Sequence, residues 1–261
     1  MIDLDVDGRG VAVLALARPE KHNALSQGLI DALHAAATRI AADPSIRVVV
    51  LTGQGASFCA GGDLGWMRDQ MAGDAATKRA AARSLAQMLG AINTLPQPVI
   101  GRVQGNAFGG GVGMACVCDV AVAVQDARFG LTETKLGLIP ATIGPYVLAR
   151  MGEANARRVF MSGRLFDAAE AVTLGVLAKA VPAAELDAAV DAEVAPYLQC
   201  APDAVAAAKR FARSLGPVID ESVINRSIDA LIAQWEGRSA KEGISAFFDR
   251  RKPDWAVTKE P

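Results

Sequence analysis

The segment Asn106-Ala107-Phe108-Gly109-Gly110-Gly111-Val112-Gly113 puts four glycines into five positions of an apolar surround. Within a regular element each glycine costs roughly 0.5–1 kcal/mol relative to alanine, so such a cluster answers to unusual backbone angles or to bare N–H groups facing a ligand. A flexible surface loop is the ordinary reading of a glycine run. Here an apolar run, Pro98–Val103, precedes the glycines and another, Val112–Cys118, follows them, which reads as strand, turn and helix start. That arrangement binds anions. A second glycine turn, Ser57–Leu64, follows the apolar run Val48–Thr52 in the same way. Two N–H groups at the ends of two strands can cradle a carbonyl oxygen that becomes an oxyanion, and losing one such donor typically costs ~2.7–4 kcal/mol of barrier.

Competing chemistries find little support. Dinucleotide binding wants Gly-x-Gly-x-x-Gly after a strand, whereas Gly111-Val112-Gly113 is followed by Met114-Ala115-Cys116. The two histidines are His22 and His34, and Ser57 lacks the Gly-x-Ser-x-Gly elbow of a hydrolase. The four cysteines, at 59, 116, 118 and 200, have apolar neighbours and no zinc-knuckle spacing, so they read as buried free thiols and no metal is expected. A net charge of −1 argues against nucleic acid as the principal partner, although a local basic patch can hold a nucleotide's phosphates. The N-terminus shows no basic segment leading into an apolar core, and no apolar run is long enough to span a bilayer. A cytoplasmic protein without a membrane partner is expected.

The elements that must hold these turns follow from the pattern. Ile2–Val6 and 11–17 read as strands around Asp7-Gly8-Arg9-Gly10. Ser26 can cap a helix whose apolar positions are Leu29, Ile30, Leu33 and Ile40, ending before Asp43-Pro44. A strand over 47–52 leads to the first turn, a helix over 77–95 is stopped by Pro96, and Val99–Val103 leads to the second turn. Val120–Val124 is a further strand, and from Pro182 onward the chain is alanine-rich and helical. At 261 residues and 51% hydrophobic composition, the chain can bury a sizeable core as one functional α/β domain, with residues 1–195 as core and 196–261 as a helical region. Val205, Phe211, Ile224, Ile228, Leu231 and Trp235 exceed what such a region is expected to bury by itself, which points to an intersubunit surface.

From Val11 to Trp255 the chain resembles the crotonase superfamily, the enoyl-CoA hydratases and isomerases. The likeness lies in His22–Ser26, Phe58–Leu64, Gly105–Gly111, Cys118-Asp119, Phe129–Pro140 and Glu242–Phe248, in that order. The resemblance implies a core of ββα turns wound as a spiral, an acyl-CoA thioester substrate with no separate cofactor, and a helical C-terminal region that assembles trimers, often paired as hexamers. It implies that the N–H groups of Ala60 and Gly110 bind the thioester oxygen. Asn23, Ala24 and Leu25 match one side of the CoA path and Gly62, Asp63 and Leu64 the other, while Phe247 and Arg250 match positions that reach a neighbour's CoA.

Hydratases of this family use two glutamates to handle one water. The second is matched by Glu133, but the first falls on Gly113, and 109–118 contains no carboxylate. One glutamate still suffices for hydration, and it is also the minimum for a Δ3,Δ2-enoyl-CoA isomerase; a non-catalytic acyl-CoA binder is the reading from another class. The surroundings of Gly62 and Glu133 look most like the methylglutaconyl-CoA hydratase branch, whose substrates carry a second carboxylate that Lys135 or Arg68 could pair with. Gly109 and Gly113 are counted with the substrate-binding positions, the missing side chain of Gly113 being expected to open room for the acyl group.

Overall fold

Residues 1–256 are described by the computed structural model. Two strands, β1 (Ile2–Val6) and β2 (Val11–Leu16), pair antiparallel around the expected loop. Asp7 closes that loop, its Oδ1 accepting from the N–H groups of Arg9 at 2.8 Å and Val11 at 3.0 Å. Next comes α1 (Gln27–Ala42), capped by Ser26, with Leu29, Ile30, Leu33 and Ile40 buried along one face.

Beyond α1 the chain repeats one device, a long strand followed by a short one. Strand β3 (Val48–Gly53) leads to β4 (Ser57–Cys59) and then to α2 (Leu64–Ala72) and α3 (Ala75–Asn93). Strand β5 (Val99–Val103) leads to β6 (Asn106–Phe108) and α4 (Gly110–Cys116), and β7 (Val120–Val124) leads to β8 (Arg128–Gly130) and α5 (Gly144–Phe160). After β9 (Leu165–Asp167), α6 (Ala168–Thr173) and β10 (Lys179–Val181) come four α-helices, α7 (Leu186–Leu198), α8 (Pro202–Leu215), α9 (Glu221–Glu236) and α10 (Arg238–Phe248), and a 3₁₀ turn, Asp254–Ala256, ends the described chain.

The long strands form one sheet in the order β1-β2-β3-β5-β7-β10, and the short ones a second in the order β4-β6-β8-β9. All six residues of β3 are buried, as a parallel strand covered on both faces requires. The short sheet is anchored by Phe58 and Phe129, both fully buried, each worth roughly 1.5–3 kcal/mol of apolar transfer. Both glycine turns leave this short sheet, β4 and β6 being parallel neighbours. The spiral α/β core implied by the family resemblance is the observed architecture.

Some boundaries move for local reasons. The helix expected over 77–95 is α3, shifted toward the N-terminus because Asp74 caps it, accepting from Thr77 N–H at 2.8 Å. The division expected after residue 195 falls inside α7. Cys59, Cys116 and Cys118 are buried free thiols, but Cys200 is exposed beyond the end of α7.

The helical region is also more self-contained than its composition suggests. Ile228 and Ile232 of α9 pack on Ala82 of α3, and Trp235 packs with Met67, Leu138 and Ile244. Ile228 and Trp235 therefore lie within the chain's own interior, contrary to the intersubunit reading of these two residues. Helix α8 differs, having no buried residue. It is tied down by Lys209, whose Nζ donates to Asp119 Oδ2 at 2.6 Å and to Gln97 O at 3.0 Å. Phe211, Leu215 and Val218 stay 66%, 73% and 68% exposed.

Candidate active site

Where β4 ends, the chain crosses the segment before α1 and makes a short parallel bridge between Leu25 and Gly62. Leu25 N–H donates to Gly61 O at 2.7 Å, and Asp63 N–H donates to Leu25 O at 2.9 Å. In such pairing the residue between the two bonded neighbours turns its own N–H to the opposite side. Gly62 thus presents its N–H away from Leu25, and Gly62 lines the cavity there. Ala60 is engaged differently, since its N–H donates to His22 O at 3.0 Å. This corrects the expectation for Ala60: it borders the cavity, but its N–H is occupied, and the N–H this turn leaves unpaired is that of Gly62.

The second turn supplies the facing donor. Gly110 is the first residue of α4, so its N–H lacks an intrahelical acceptor. The two turns touch: a Cβ on Gly110 would lie 2.6 Å from Leu25 Cδ1 and 3.9 Å from Gly61 Cα. Gly109 has φ +48°, and a Cβ there would come within 2.9 Å of Glu133 Oε1. Side chains are thus excluded where the two backbones and a carboxylate converge.

Glu133 opens a 3₁₀ turn, Glu133–Leu136, ended by Gly137 at φ +71°. The residue as a whole is half-buried, yet Oε2 is sealed from solvent and has no hydrogen-bond partner among the described residues. Burial pushes its carboxyl up to about 7, opposed in part by its own backbone N–H. A carboxyl poised there can take and return a proton near neutral pH.

The place of the missing glutamate is filled. A Cβ on Gly113 would meet Ile143 Cγ2 at 2.6 Å and Ile143 Cβ at 2.9 Å, and Gly113 is absent from the cavity wall that Ile143 helps to form. The expectation that Gly113 opens room for the acyl group, and its assignment to substrate binding, are therefore corrected. Thr142, beside Ile143, also reaches the wall, with Oγ1 buried and unpartnered among the described residues.

Of the other expected contacts, Leu25, Leu64, Gly109, Lys135 and Phe247 line the cavity, which encloses about 500 Å³. Asn23, Ala24, Asp63 and Arg250 do not. Asn23 is fully buried at φ +54°, its Nδ2 donating to Gln54 O at 2.9 Å and Ser57 O at 2.8 Å. Arg18 donates to Ala24 O at 2.8 Å and pairs with Asp63 Oδ2 at 3.1 Å. Asp63 also caps α2, accepting from Gly65 N–H at 2.8 Å. These residues brace the first turn from behind. Arg250 is exposed, and Arg68 stacks 4.3 Å over the Phe248 ring, outside the cavity wall.

Sequence reasoning passed over the far wall, made by α2, α3 and α9: Met67, Gln70, Lys78, Ala82, Leu85 and Trp235. A signal was available. Gln70 follows Met67 by three residues, and Lys78 precedes Ala82 and Leu85 by four and seven, so both polar residues interrupt an apolar helix face.

With this geometry in place, comparison with known proteins is decisive. The family model "Enoyl-CoA hydratase/isomerase" matches residues 7–258. The chain belongs to the enoyl-CoA hydratase/isomerase family. An enoyl-CoA hydratase structure from Mycobacterium smegmatis is 34% identical, with a TM-score of 0.79 over 98% of this chain and 99% of that one. One from Shewanella pealeana is 34% identical, with a TM-score of 0.80 over 97% and 95%, and one from Mycobacterium avium is 31% identical, with 0.84 over 98% and 98%. The family member described here is accordingly an enzyme of acyl-CoA chemistry. Among the described residues there is no cluster of metal-ligating side chains and no helix long and apolar enough to cross a membrane.

Proposed function

We propose that this enzyme adds water across the double bond of an α,β-unsaturated acyl-CoA with a single carboxyl group. The observation that carries this reading is the Glu133 carboxyl, with Oε2 buried and unpartnered among the described residues, beside two glycine turns with free N–H groups. The N–H groups of Gly62 and Gly110 hold the thioester oxygen. Glu133, as carboxylate, takes a proton from water while the water oxygen bonds to the β-carbon and electron density moves onto the thioester oxygen. Both donors strengthen as that negative charge grows. The protonated Glu133 then gives the same proton to the α-carbon, so one water is added and the carboxylate is restored.

The acyl group is branched or glutaconyl-type: the mostly apolar wall supports a branched chain, and Lys135 on that wall offers a cation to a second carboxylate. The exposed apolar residues of α8 support a homotrimer or a dimer of trimers, and the cytoplasm is the proposed location. Because one carboxyl also suffices to move a double bond, the test uses crotonyl-, 3-enoyl- and 3-methylglutaconyl-CoA in water enriched in heavy oxygen. Label in the product, lost in Glu133→Gln, is the expected result. A shifted double bond without label replaces hydration by isomerisation, and turnover indifferent to Glu133→Gln removes the mechanism.

A further inference from the structure

Resting on the proposed hydration and deepening it, we infer that the hydroxyl of Thr142 holds the attacking water together with Glu133, a part that no side chain at position 113 can play. Three cavity-lining residues carry a buried side-chain polar atom without a partner among the described residues: Glu133 at Oε2, Thr142 at Oγ1 and Trp66 at Nε1. Thr142 is 4% exposed. An indole N–H only donates, so Trp66 cannot accept from a water, and its ring edge lies against the first turn, where a Cβ on Gly62 would meet Trp66 Cε3 at 3.6 Å. A hydroxyl accepts as well as donates. A bound water needs two or more polar partners, and Glu133 and Thr142 supply them.

Helix α4 brings the two groups to neighbouring places. Glu133 Oε1 lies against Gly109 and Ile143 Cγ2 against Gly113, within 2.9 and 2.6 Å of the Cβ that each glycine lacks. Gly113 N–H donates to Gly109 O at 3.2 Å, so these contacts are one helical turn apart, a rise of about 5.4 Å. Thr142 is bonded to Ile143, and 138–143 line the cavity without a break. Folding makes no use of this hydroxyl. Thr142 stands next to the start of α5, where threonine commonly caps, yet Ile143 takes the N-cap position and no side chain caps the helix. A buried hydroxyl without a partner destabilises the fold, which an apolar group of the same shape would not. In the hydration step the water donates one hydrogen to the Glu133 carboxylate and the other to Thr142 Oγ1, which aims an oxygen lone pair at the β-carbon. As the carbon–oxygen bond forms and the double bond opens toward the thioester, Glu133 takes the proton that it later gives to the α-carbon. Thr142 neither gains nor loses one.

The test compares Thr142→Val, which keeps the shape and deletes the hydroxyl, with Thr142→Ser, which keeps the hydroxyl, on whichever of the three esters above wild type hydrates fastest. Thr142→Val should lower kcat by about tenfold with KM little changed, and Thr142→Ser should recover most of the loss. The Tm of Thr142→Val should equal or exceed that of wild type, because a hydroxyl retained for turnover is a burden on the fold. Thr132 also reaches the wall but is only half-buried, so Thr132→Val should cost less than Thr142→Val. Full kcat in Thr142→Val, a rise in KM that accounts for the whole loss, or an equal loss in Thr132→Val overturns the inference. A Tm that falls along with kcat assigns the hydroxyl to folding and overturns it as well. If heavy oxygen still enters the product in dependence on Glu133 while Thr142→Val is indifferent, this inference alone fails. If wild type incorporates no label from any of the three esters, the proposed function fails with it.

Discussion

In the proposed mechanism, Glu133 links catalysis and stability through one ionisation. Its carboxyl is raised from 4.5 to about 7, so the folded protein resists losing that proton whereas the unfolded chain loses it readily. Native stability should therefore be fully present below about pH 4.5 and fall as pH rises through about 7, by at most about 3 kcal/mol. Urea midpoints at pH 5 and pH 8, compared between wild type and Glu133→Gln, measure this contribution. The variant should lose its share of the pH dependence and be the more stable protein at pH 8. In parallel, kcat/KM for hydration should rise with pH and level off above about 7, because the carboxylate is the form that accepts the water proton. A profile flat from pH 5 to 8 would sink the assignment of Glu133 as base.

At the scale of elements, the glycine turns divide labour between an occupied N–H and a free one. Gly62→Pro and Gly110→Pro each delete a donor, and a folded variant of either should lose about 10²–10³ in kcat, while Ala60→Gly keeps its N–H and should be nearly silent. Steady-state kinetics on the three variants tells Gly62 and Ala60 apart. The turns were legible in sequence because glycine is written wherever backbones approach closely, as at Gly109 and Gly110. Which N–H is free was not legible, because it depends on how residues 22–25 pair with a turn thirty-five or more positions later. The far wall escaped for a related reason: Gln70 and Lys78 acquire meaning only when α9 closes the cavity against α3. Helix α8 offers a separate test. Asp119→Ala would leave the Lys209 ammonium buried without its partner, at a cost of about 3 kcal/mol, read as a lowered Tm and earlier proteolysis within α8.

For the whole molecule, the apolar surface left over lies on and after α8, at Phe211, Leu215 and Val218; of the residues that composition singled out, Phe211 is exposed there, whereas Ile228 and Trp235 of α9 are buried within the chain. Light scattering at micromolar concentration should give three or six times 27.1 kDa, and Phe211→Glu should shift it toward monomer. A wild-type monomer would remove the proposed assembly. The packing of Ile143 against Gly113 couples the two positions. Restoring a carboxylate at position 113 forces a side chain into a space already filled, at about 1–3 kcal/mol before any benefit to turnover appears. Shrinking Ile143 first opens a void in a buried wall. Each step is harmful unless the other has been taken, so the two positions should show sign epistasis, measured as the Tm of Gly113→Glu, Ile143→Ala and the double variant.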